Sequence, residues 1–304
     1  MTHKTKIALL TGLSLLAAGL ALFAAALSAY HWDFTRLNTV KFETTEFSVG
    51  EAFRGISLDA ASTDVRFVPS EDGACRVVCR APETTAHSVS VQDGVLTVQA
   101  TDAPWHEHIG IFFSSPEITL CLPAGDYGAL SLCVSTGDVS VPADFRFTDV
   151  SLAVTTGDVS FAAPAADTLT FSSTTGTLTV TDVSCRSLST AGSTGEVLLH
   201  GVTAAERISV ERSTGDVVLD RCDAADVFVK TSTGSITATL LTEKTFTAQS
   251  GTGSVSVPES GSGGSCTLLT STGDIRADVA GGMLDAGAIT EAEFEAKKKE
   301  LLSL

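Results

Sequence analysis

The sequence predicts an all-β protein: a parallel β-solenoid (β-helix) of about ten coils with an N-terminal transmembrane helix and a short C-terminal helix. Three observations lead to this fold class. A Thr-Gly pair recurs eight times at steps of 19 or 20 residues, polar and apolar residues alternate on both sides of each pair, and an uncharged segment lies near the N-terminus. A period this regular is typical of repeat architectures.

Each repeat contains two short strands. Apolar residues stand two and four positions after each glycine, as at Val139 and Val141, and six and four positions before each Thr, as at Leu130 and Leu132. This period of two is that of half-buried strands. One repeat cannot enclose a core alone, so equivalent strands are expected to pair in parallel, about 4.8 Å apart. The corner pairs are Thr136-Gly137, Thr156-Gly157, Thr175-Gly176, Thr194-Gly195, Thr214-Gly215, Thr233-Gly234, Thr252-Gly253 and Thr272-Gly273.

The corner motif carries a family resemblance. Residues 135–139 and 213–217 are Ser-Thr-Gly-Asp-Val, and residues 271–275 differ only in ending with Ile. From about Phe47 to Gly281 the chain resembles the bacterial family named "putative adhesin", a domain of unknown function in envelope proteins whose known members are β-solenoids. The resemblance implies an architecture and an envelope location. It provides no catalytic residues.

The segment before the regular repeats is expected to cap the rod. Ile56 and Leu58 precede Asp64 by the offsets that Leu130 and Leu132 keep before Asp138, which indicates a degenerate first coil. Strands at 87–91 and 95–98 flank an Asp-Gly turn, which predicts a hairpin. Solenoids need such caps to shield their end faces.

The N-terminal segment predicts a membrane anchor. Residues 7–30 carry no charge, and about 20 apolar residues suffice to cross a bilayer. Lys4 and Lys6 on the N-terminal side favour a cytoplasmic N-terminus and an extracytoplasmic solenoid. Small residues near position 26 leave cleavage as a signal peptide open. The domains are therefore 1–30 (cytoplasmic N-tail and transmembrane helix), 31–46 (juxtamembrane linker), 47–281 (solenoid) and 282–304 (C-terminal helix).

The C-terminal segment predicts a helix, because Thr290 and Glu293 form a capping box and Lys297 to Lys299 lie near its end. Leu284 to Leu302 is similar to the SHOCT motif, a short C-terminal module thought to mediate oligomerisation. The resemblance implies self-association through this helix. Because most of that motif's preceding helix is missing here, a helix that caps the last coil is an open alternative.

Composition restricts the partners. A formal charge of −17 argues against nucleic acid, which requires clustered Lys and Arg. The seven cysteines are odd in number and show no disulfide spacing, so mostly free, buried thiols are expected.

Two candidate metal sites are weak. His106 and His108 could ligate zinc, but no third ligand stands at a recognisable spacing. The carboxylates that follow the corner glycines could form a calcium row, but Thr177, Ser235 and Ser254 interrupt it, and bonds to local backbone amides are favoured. No catalytic, cofactor-binding or metal-binding residue and no cofactor is therefore assigned. The row consists of Asp138, Asp158, Glu196, Asp216 and Asp274.

The predicted function is that of a membrane-anchored extracytoplasmic solenoid acting as a non-catalytic structural or binding surface, adhesin-like and associated with envelope stress, for a protein or cell-wall polymer ligand. Two alternatives are open. One is a polysaccharide-active enzyme, which requires converging carboxylates in a cleft. The other is a cytoplasm-facing regulator that oligomerises through its C-terminal motif.

Overall fold

The computed structural model describes residues 3–29, 31, 41–101, 114–165 and 167–280. The predicted His106 and His108 pair and the predicted helix of residues 282–304 lie outside the described residues. Helix α1, His3–Ala29, confirms the predicted N-terminal helix. Its span Leu10–Ala29 is the single described helix long and apolar enough to cross a membrane, a test that a signal sequence also passes.

The rest of the described chain is β-structure in two long sheets and one two-stranded pair. In chain order the strands are β1 Phe42–Val49, β2 Gly55–Ser62, β3 Asp64–Pro69, β4 Cys75–Pro82, β5 Ala86–Gln92, β6 Val95–Thr101, β7 Glu117–Leu122, β8 Gly125–Asp126, β9 Ala129–Thr136, β10 Val139–Val141, β11 Phe145–Arg146, β12 Asp149–Thr156, β13 Val159–Phe161, β14 Thr168–Thr175, β15 Leu178–Thr181, β16 Ser184–Thr194, β17 Val197–His200, β18 Thr203–Thr214, β19 Val217–Cys222, β20 Asp226–Thr233, β21 Ile236–Leu240, β22 Lys244–Thr252, β23 Val255–Ser256, β24 Gly264–Thr272 and β25 Ile275–Val279.

Each coil contributes one strand to each long sheet, an arrangement consistent with a β-solenoid. Sheet A has the order β1-β4-β7-β3-β10-β13-β15-β17-β19-β21-β25-β23, and sheet B has the order β22-β24-β20-β18-β16-β14-β12-β9-β2-β6-β5. Neighbouring coils pair in parallel with equivalent residues in register, as for Leu132 with Leu152 and Val139 with Val159. The predicted degenerate first coil is confirmed, because Leu58 pairs with Leu132 and Val65 with Val139.

Strands β1, β4 and β5 form one end of the stack. We call it the antiparallel end. Strand β4 runs antiparallel to β7, and β1 runs antiparallel to β4. The predicted hairpin is confirmed as β5 and β6, joined by Asp93 and Gly94 in the left-handed conformation at φ 52° and 75°. An aromatic cluster lies behind these strands, in which the Tyr127 ring is 6.0 Å from Phe53 and 6.2 Å from Phe145.

At the other end the last two coils exchange places. Strand β20 pairs with β24, and β24 pairs with β22, so the chain builds the outermost coil first and then inserts its final coil beneath it. We call β22 and β23 the terminal coil. The expectation that repeats stack in sequence order is therefore wrong for the last two repeats. The return segment 257–263 passes close to the start of the terminal coil, where a Cβ at Gly263 would collide with the Glu243 carbonyl.

The core fills the space between the two sheets, and the predicted inward positions of the inner coils are buried, as at Leu130 and Val217. Two expectations need correction. Leu241 is 43% exposed and its neighbour Leu240 is buried instead, because Leu240 pairs with Val279 on β25. Strand β1 starts at Phe42, inside the predicted linker 31–46, because it pairs along its whole length with β4.

Candidate functional site

The eight corner glycines form one file along an edge of the rod. Their φ angles lie between +126° and +147°, a range that side chains rarely adopt. A Cβ at Gly195 would collide with the carbonyl of Gly176 in the next coil, and each of the other seven faces the corner backbone of an adjacent coil in the same way. Only glycine therefore permits coils to stack this closely. The file follows the exchanged order, with Gly273 between Gly234 and Gly253.

The corner carboxylates form hydrogen bonds between coils. The backbone N–H of Asp158 donates to Asp138 Oδ1 at 2.8 Å, and that of Thr177 donates to Asp158 Oδ1 at 2.7 Å. Amide bonding was predicted, but the expected amides were local, whereas the observed ones belong to the adjacent coil. The difference arises because parallel stacking brings the next coil within about 5 Å.

The same bond recurs near the terminal coil. Asp274 Oδ1 accepts hydrogen bonds from the Ser254 backbone N–H at 2.7 Å and from the Ser254 hydroxyl at 2.8 Å. These bonds stabilise the carboxylate and hold the pKa of Asp274 below its ordinary value. The row is thus explained as a structural ladder in which an oxygen of each bonded carboxylate is occupied.

A column of eight exposed threonines runs beside the glycine file. Each threonine pairs in register with its counterpart in the next coil, and all eight are exposed. Their hydroxyls repeat at the strand spacing, about 4.8 Å. We call this surface the threonine column. Its members in spatial order are Thr136, Thr156, Thr175, Thr194, Thr214, Thr233, Thr272 and Thr252.

The outer face of sheet B adds a second polar row. Ser131, Ser151, Thr170 and Ser189 point outwards from successive strands and are exposed. Phe228 interrupts this row of hydroxyl-bearing residues. The Cζ atom of Arg207 lies over the Phe228 ring, 5.6 Å from its centroid. Much of the regular rod therefore presents repeated hydroxyl groups, each of which can donate and accept hydrogen bonds.

One charged side chain is buried inside the regular coils. Arg212 is 4% exposed, and its Nη1 donates to Ser173 Oγ at 2.6 Å across the space left by Gly192. Its Nε and Nη2 and the Thr190 hydroxyl are buried without a hydrogen-bond partner in the described chain. Burial lowers the pKa of Arg212. The sequence signal that could have marked Arg212 is its place in the alternation, since it follows the inward Ile208 and Val210 by the same period of two.

A second buried charge lies beside the terminal coil. The Lys244 side chain is 4% exposed, and its Nζ lies 2.6 Å from Asp223 Oδ1 and donates to Thr242 Oγ1 at 2.6 Å. Thr242 Oγ1 in turn donates to Asp223 Oδ1 at 3.0 Å. Because Lys244 belongs to β22 and Asp223 precedes β20, this ion pair crosses the inserted coil of β24.

The buried thiols are not activated as nucleophiles. All seven cysteines are free, four are buried, and Cys133 alone is exposed. Burial raises the pKa of Cys79 and Cys185 to about 11 and that of Cys222 to about 12. Such thiols stay protonated at neutral pH, whereas nucleophilic chemistry uses the thiolate.

The corner carboxylates that were weighed as a calcium row do not form a metal site among the described residues, and the weighed His106 and His108 pair lies outside them. No group of three or more His, Cys, Asp or Glu residues arranged to hold a metal ion is found in the described part of the chain. His200 Nδ1 lies 3.6 Å from Asp220 Oδ2 at the surface, as expected for a connector histidine. At the antiparallel end, an open cleft of about 460 Å³ is lined by Val49, Phe53 and Tyr127 together with polar residues.

Comparisons with known proteins agree with the fold. A family model described as "Toastrack DUF4097" matches residues 53–300. A Parabacteroides distasonis structure named a "putative lipid binding protein" aligns with a TM-score of 0.51 at 15% identity, covering 79% of this chain and 98% of that one. A Bacteroides fragilis structure named a "putative adhesin" aligns with a TM-score of 0.48 at 20% identity, covering 78% and 97%. The comparison with curated proteins finds no match.

Proposed function

The chain belongs to the Toastrack DUF4097 family, and we propose that it is a membrane-anchored extracytoplasmic solenoid that binds a cell-wall polymer or protein without catalysing a reaction. The observation that carries this proposal is the threonine column, a regular exposed array of hydroxyls on a rigid edge. Repeated hydroxyls at a fixed spacing suit a ligand that is itself long and polar, such as a glycan chain.

The non-catalytic part of the proposal is supported by the state of the reactive groups. The carboxylates that line one corner accept backbone hydrogen bonds from the next coil, as Asp138 and Asp158 do. The buried thiols have pKa values raised to about 11 or 12. Glycoside cleavage by contrast uses two carboxyl groups across a cleft, one of them with a raised pKa.

The anchored, extracytoplasmic part of the proposal is supported by helix α1 and its flanking charges. Its 20-residue span Leu10–Ala29, which contains no charged residue, has the length and composition of a membrane-crossing helix. Lys4 and Lys6 favour a cytoplasmic N-terminus. The rod that follows α1 would then lie outside the cytoplasm.

Topology is tested with the exposed thiol of Cys133 on β9. A small membrane-impermeant thiol reagent is applied to intact cells and to lysed cells, with Cys133→Ser as the control for labelling elsewhere. The proposal predicts equal labelling of Cys133 in both samples. Labelling that appears only after lysis contradicts an external rod and supports the cytoplasm-facing alternative.

Binding is tested by co-sedimentation of the full chain in detergent with insoluble peptidoglycan. The variant Thr175→Lys/Thr194→Lys/Thr214→Lys disrupts the threonine column, and Ser140→Lys/Ser160→Lys/Thr179→Lys places the same charges on the outer face of sheet A. The column variant is expected to lose at least about tenfold in bound fraction, since a long side chain blocks close approach. Equal binding by both variants contradicts a role for the column.

A further inference from the structure

The terminal coil leaves apolar side chains uncovered. Val255 on β23 is 44% exposed, whereas Ile275, its partner on β25, is 1% exposed. Leu241 is 43% exposed as well, but it lines a groove along the side of the rod together with Cys185 and Ala204 of inner coils. Outside α1, these two are the only large apolar side chains in the described chain that are exposed to this degree.

Other inward positions of the terminal coil are only partly buried. Phe246, Ala248 and Val257 pack against the core on one side, and nothing among the described residues covers their other side. Strands β22 and β23 are also the outer strands of their sheets, so each has an unpaired backbone edge. Such an edge with an apolar face is a site for association unless it is covered.

The exchanged coil order places the C-terminal segment beside this surface. The described chain ends at Ala280, directly after β25, in the coil next to the terminal one. The Ala280 backbone N–H donates to the Leu240 carbonyl of the following inner coil at 2.8 Å. The chain therefore leaves the rod at Ala280 about one strand spacing, roughly 5 Å, from the uncovered face of the terminal coil. Residues 281–304 follow, and 24 residues reach about 36 Å as a helix, enough to cross a coil.

The apolar side chains of the segment match the surface. Ile289, Phe294 and Leu301 offer apolar side chains, and three consecutive lysines begin at Lys297. The segment carries five acidic residues against three lysines, so its net charge does not complement the exposed Glu243 and Glu259 at this end of the rod. Burial of apolar surface against apolar surface is the attraction that supports the contact.

We propose that residues 281–304 fold back over the terminal coil of the same chain and cover Val255 and the partly buried Phe246. The segment then acts as the cap that the parallel stack lacks at this end. The inference is independent of the ligand and of the membrane orientation proposed above, because it concerns only the end of the rod.

The experiment compares two thiols in one purified full chain in detergent. The variant Val255→Cys places a thiol on the surface to be covered, and the native Cys133, exposed on β9 far from this end, is the internal reference. Labelling rates at both positions are read by mass spectrometry in the full chain and in a chain that ends at Ala280. The proposal predicts labelling at position 255 at least about tenfold slower in the full chain, with the rate at Cys133 unchanged.

Point variants keep the test decisive where truncation disturbs folding. Phe294→Asp/Leu301→Asp is expected to expose position 255 as truncation does, whereas Thr290→Asp/Ser303→Asp adds the same charge at polar positions and is expected to keep it covered. Equal labelling rates in all chains overturn the proposal. Protection that disappears on dilution, together with the mass of a dimer, also overturns it, because a second copy is then the cover.

Discussion

The two ends of the rod terminate in different ways. At the antiparallel end, β4 reverses direction against β7, β1 and β5 add further reversed strands, and aromatic residues around Tyr127 fill the interior. At the terminal coil every pairing remains parallel, and the chain only exchanges the order of its last two coils. Val255, a large apolar side chain, is exposed at the second end, and the described antiparallel end has no such side chain.

The difference between the two ends shows that parallel stacking alone always leaves an outer strand with an unpaired edge. Each coil presents to the next the same edge that it covers on the previous one, so a further coil can always be added. Strand reversal and bulky side chains break this equivalence at the antiparallel end. The exchange of coils leaves it intact, so β22 and β23 keep an unpaired edge at the terminal coil.

The largest predicted effect compares two phenylalanines. Phe67 is 2% exposed and contacts Phe145 with ring centroids 6.0 Å apart, whereas Phe246 on the terminal coil is only partly buried. Phe67→Ala is expected to lower the free energy of unfolding by about 4 kcal/mol and Phe246→Ala by about 1.5 kcal/mol. Urea denaturation measures both. Equal losses would mean that the two ends are equally well packed.

The second prediction concerns the corner glycines. Gly195→Ala introduces strain and a clash between two inner coils, with an expected loss of about 3 kcal/mol. Gly253→Ala makes a similar clash in the terminal coil, which has a neighbour on one side only and can detach locally, so about 1 kcal/mol is expected. Thermal and urea unfolding test this, and a larger loss for Gly253→Ala would contradict a weakly held terminal coil.

The third prediction concerns the ion pair beside the terminal coil. Asp223→Ala leaves the Lys244 ammonium buried without its carboxylate, at an expected cost of about 2 kcal/mol. The double variant Asp223→Ala/Lys244→Met is expected to recover most of this loss, because the buried charge is gone. The exposed pair of Asp72 and Arg76 at the antiparallel end is the control, and Asp72→Ala is expected to change stability less. Failure of Lys244→Met to restore stability would contradict the explanation.

The smallest predicted effect is a pH dependence. Hydrogen bonds from Ser254 lower the pKa of Asp274 below its ordinary value of 3.8, so the carboxylate stabilises the fold above that pH. This stabilisation is lost as the pH falls through the lower, folded-state pKa. The wild type should therefore exceed Asp274→Asn in urea midpoint at pH 7, and the difference should shrink towards pH 2. A difference that does not change with pH would contradict the role of the charge.

Asp72 at the antiparallel end provides a matched test. Its pKa is lowered by the Ser70 hydroxyl and then by the Ala74 amide, so Asp72→Asn should show the same sign of pH dependence. The two variants are compared in parallel urea titrations. The opposite sign for Asp72→Asn would mean that hydrogen bonding to the charged form is not the cause at either end.

The sequence was sufficient to predict the strands, the corners and the inward-facing residues of each coil. Its period located the paired strands and the glycine corners, since Val139 and Leu130 occupy the inward positions that alternation requires. The order of the last two coils was not predictable, because all coils carry equivalent inward residues and any coil can stack on any other. The glycines around Gly263 are the one feature of the sequence that distinguishes the connector of these coils from the others. Arg212 was missed because its partners lie two coils away.

The central claim is that the last two coils exchange places and so leave the terminal coil at an open end. Cysteine pairs on the outer face of sheet A test it directly, because a disulfide spans one strand spacing but not two. Under mild oxidation Thr237→Cys/Arg276→Cys and Ser256→Cys/Arg276→Cys are predicted to form disulfides, since these residues pair in register. Thr237→Cys/Ser256→Cys is predicted to remain reduced. A disulfide in that last variant, with none between 237 and 276, would show that the coils stack in sequence order and would contradict the account.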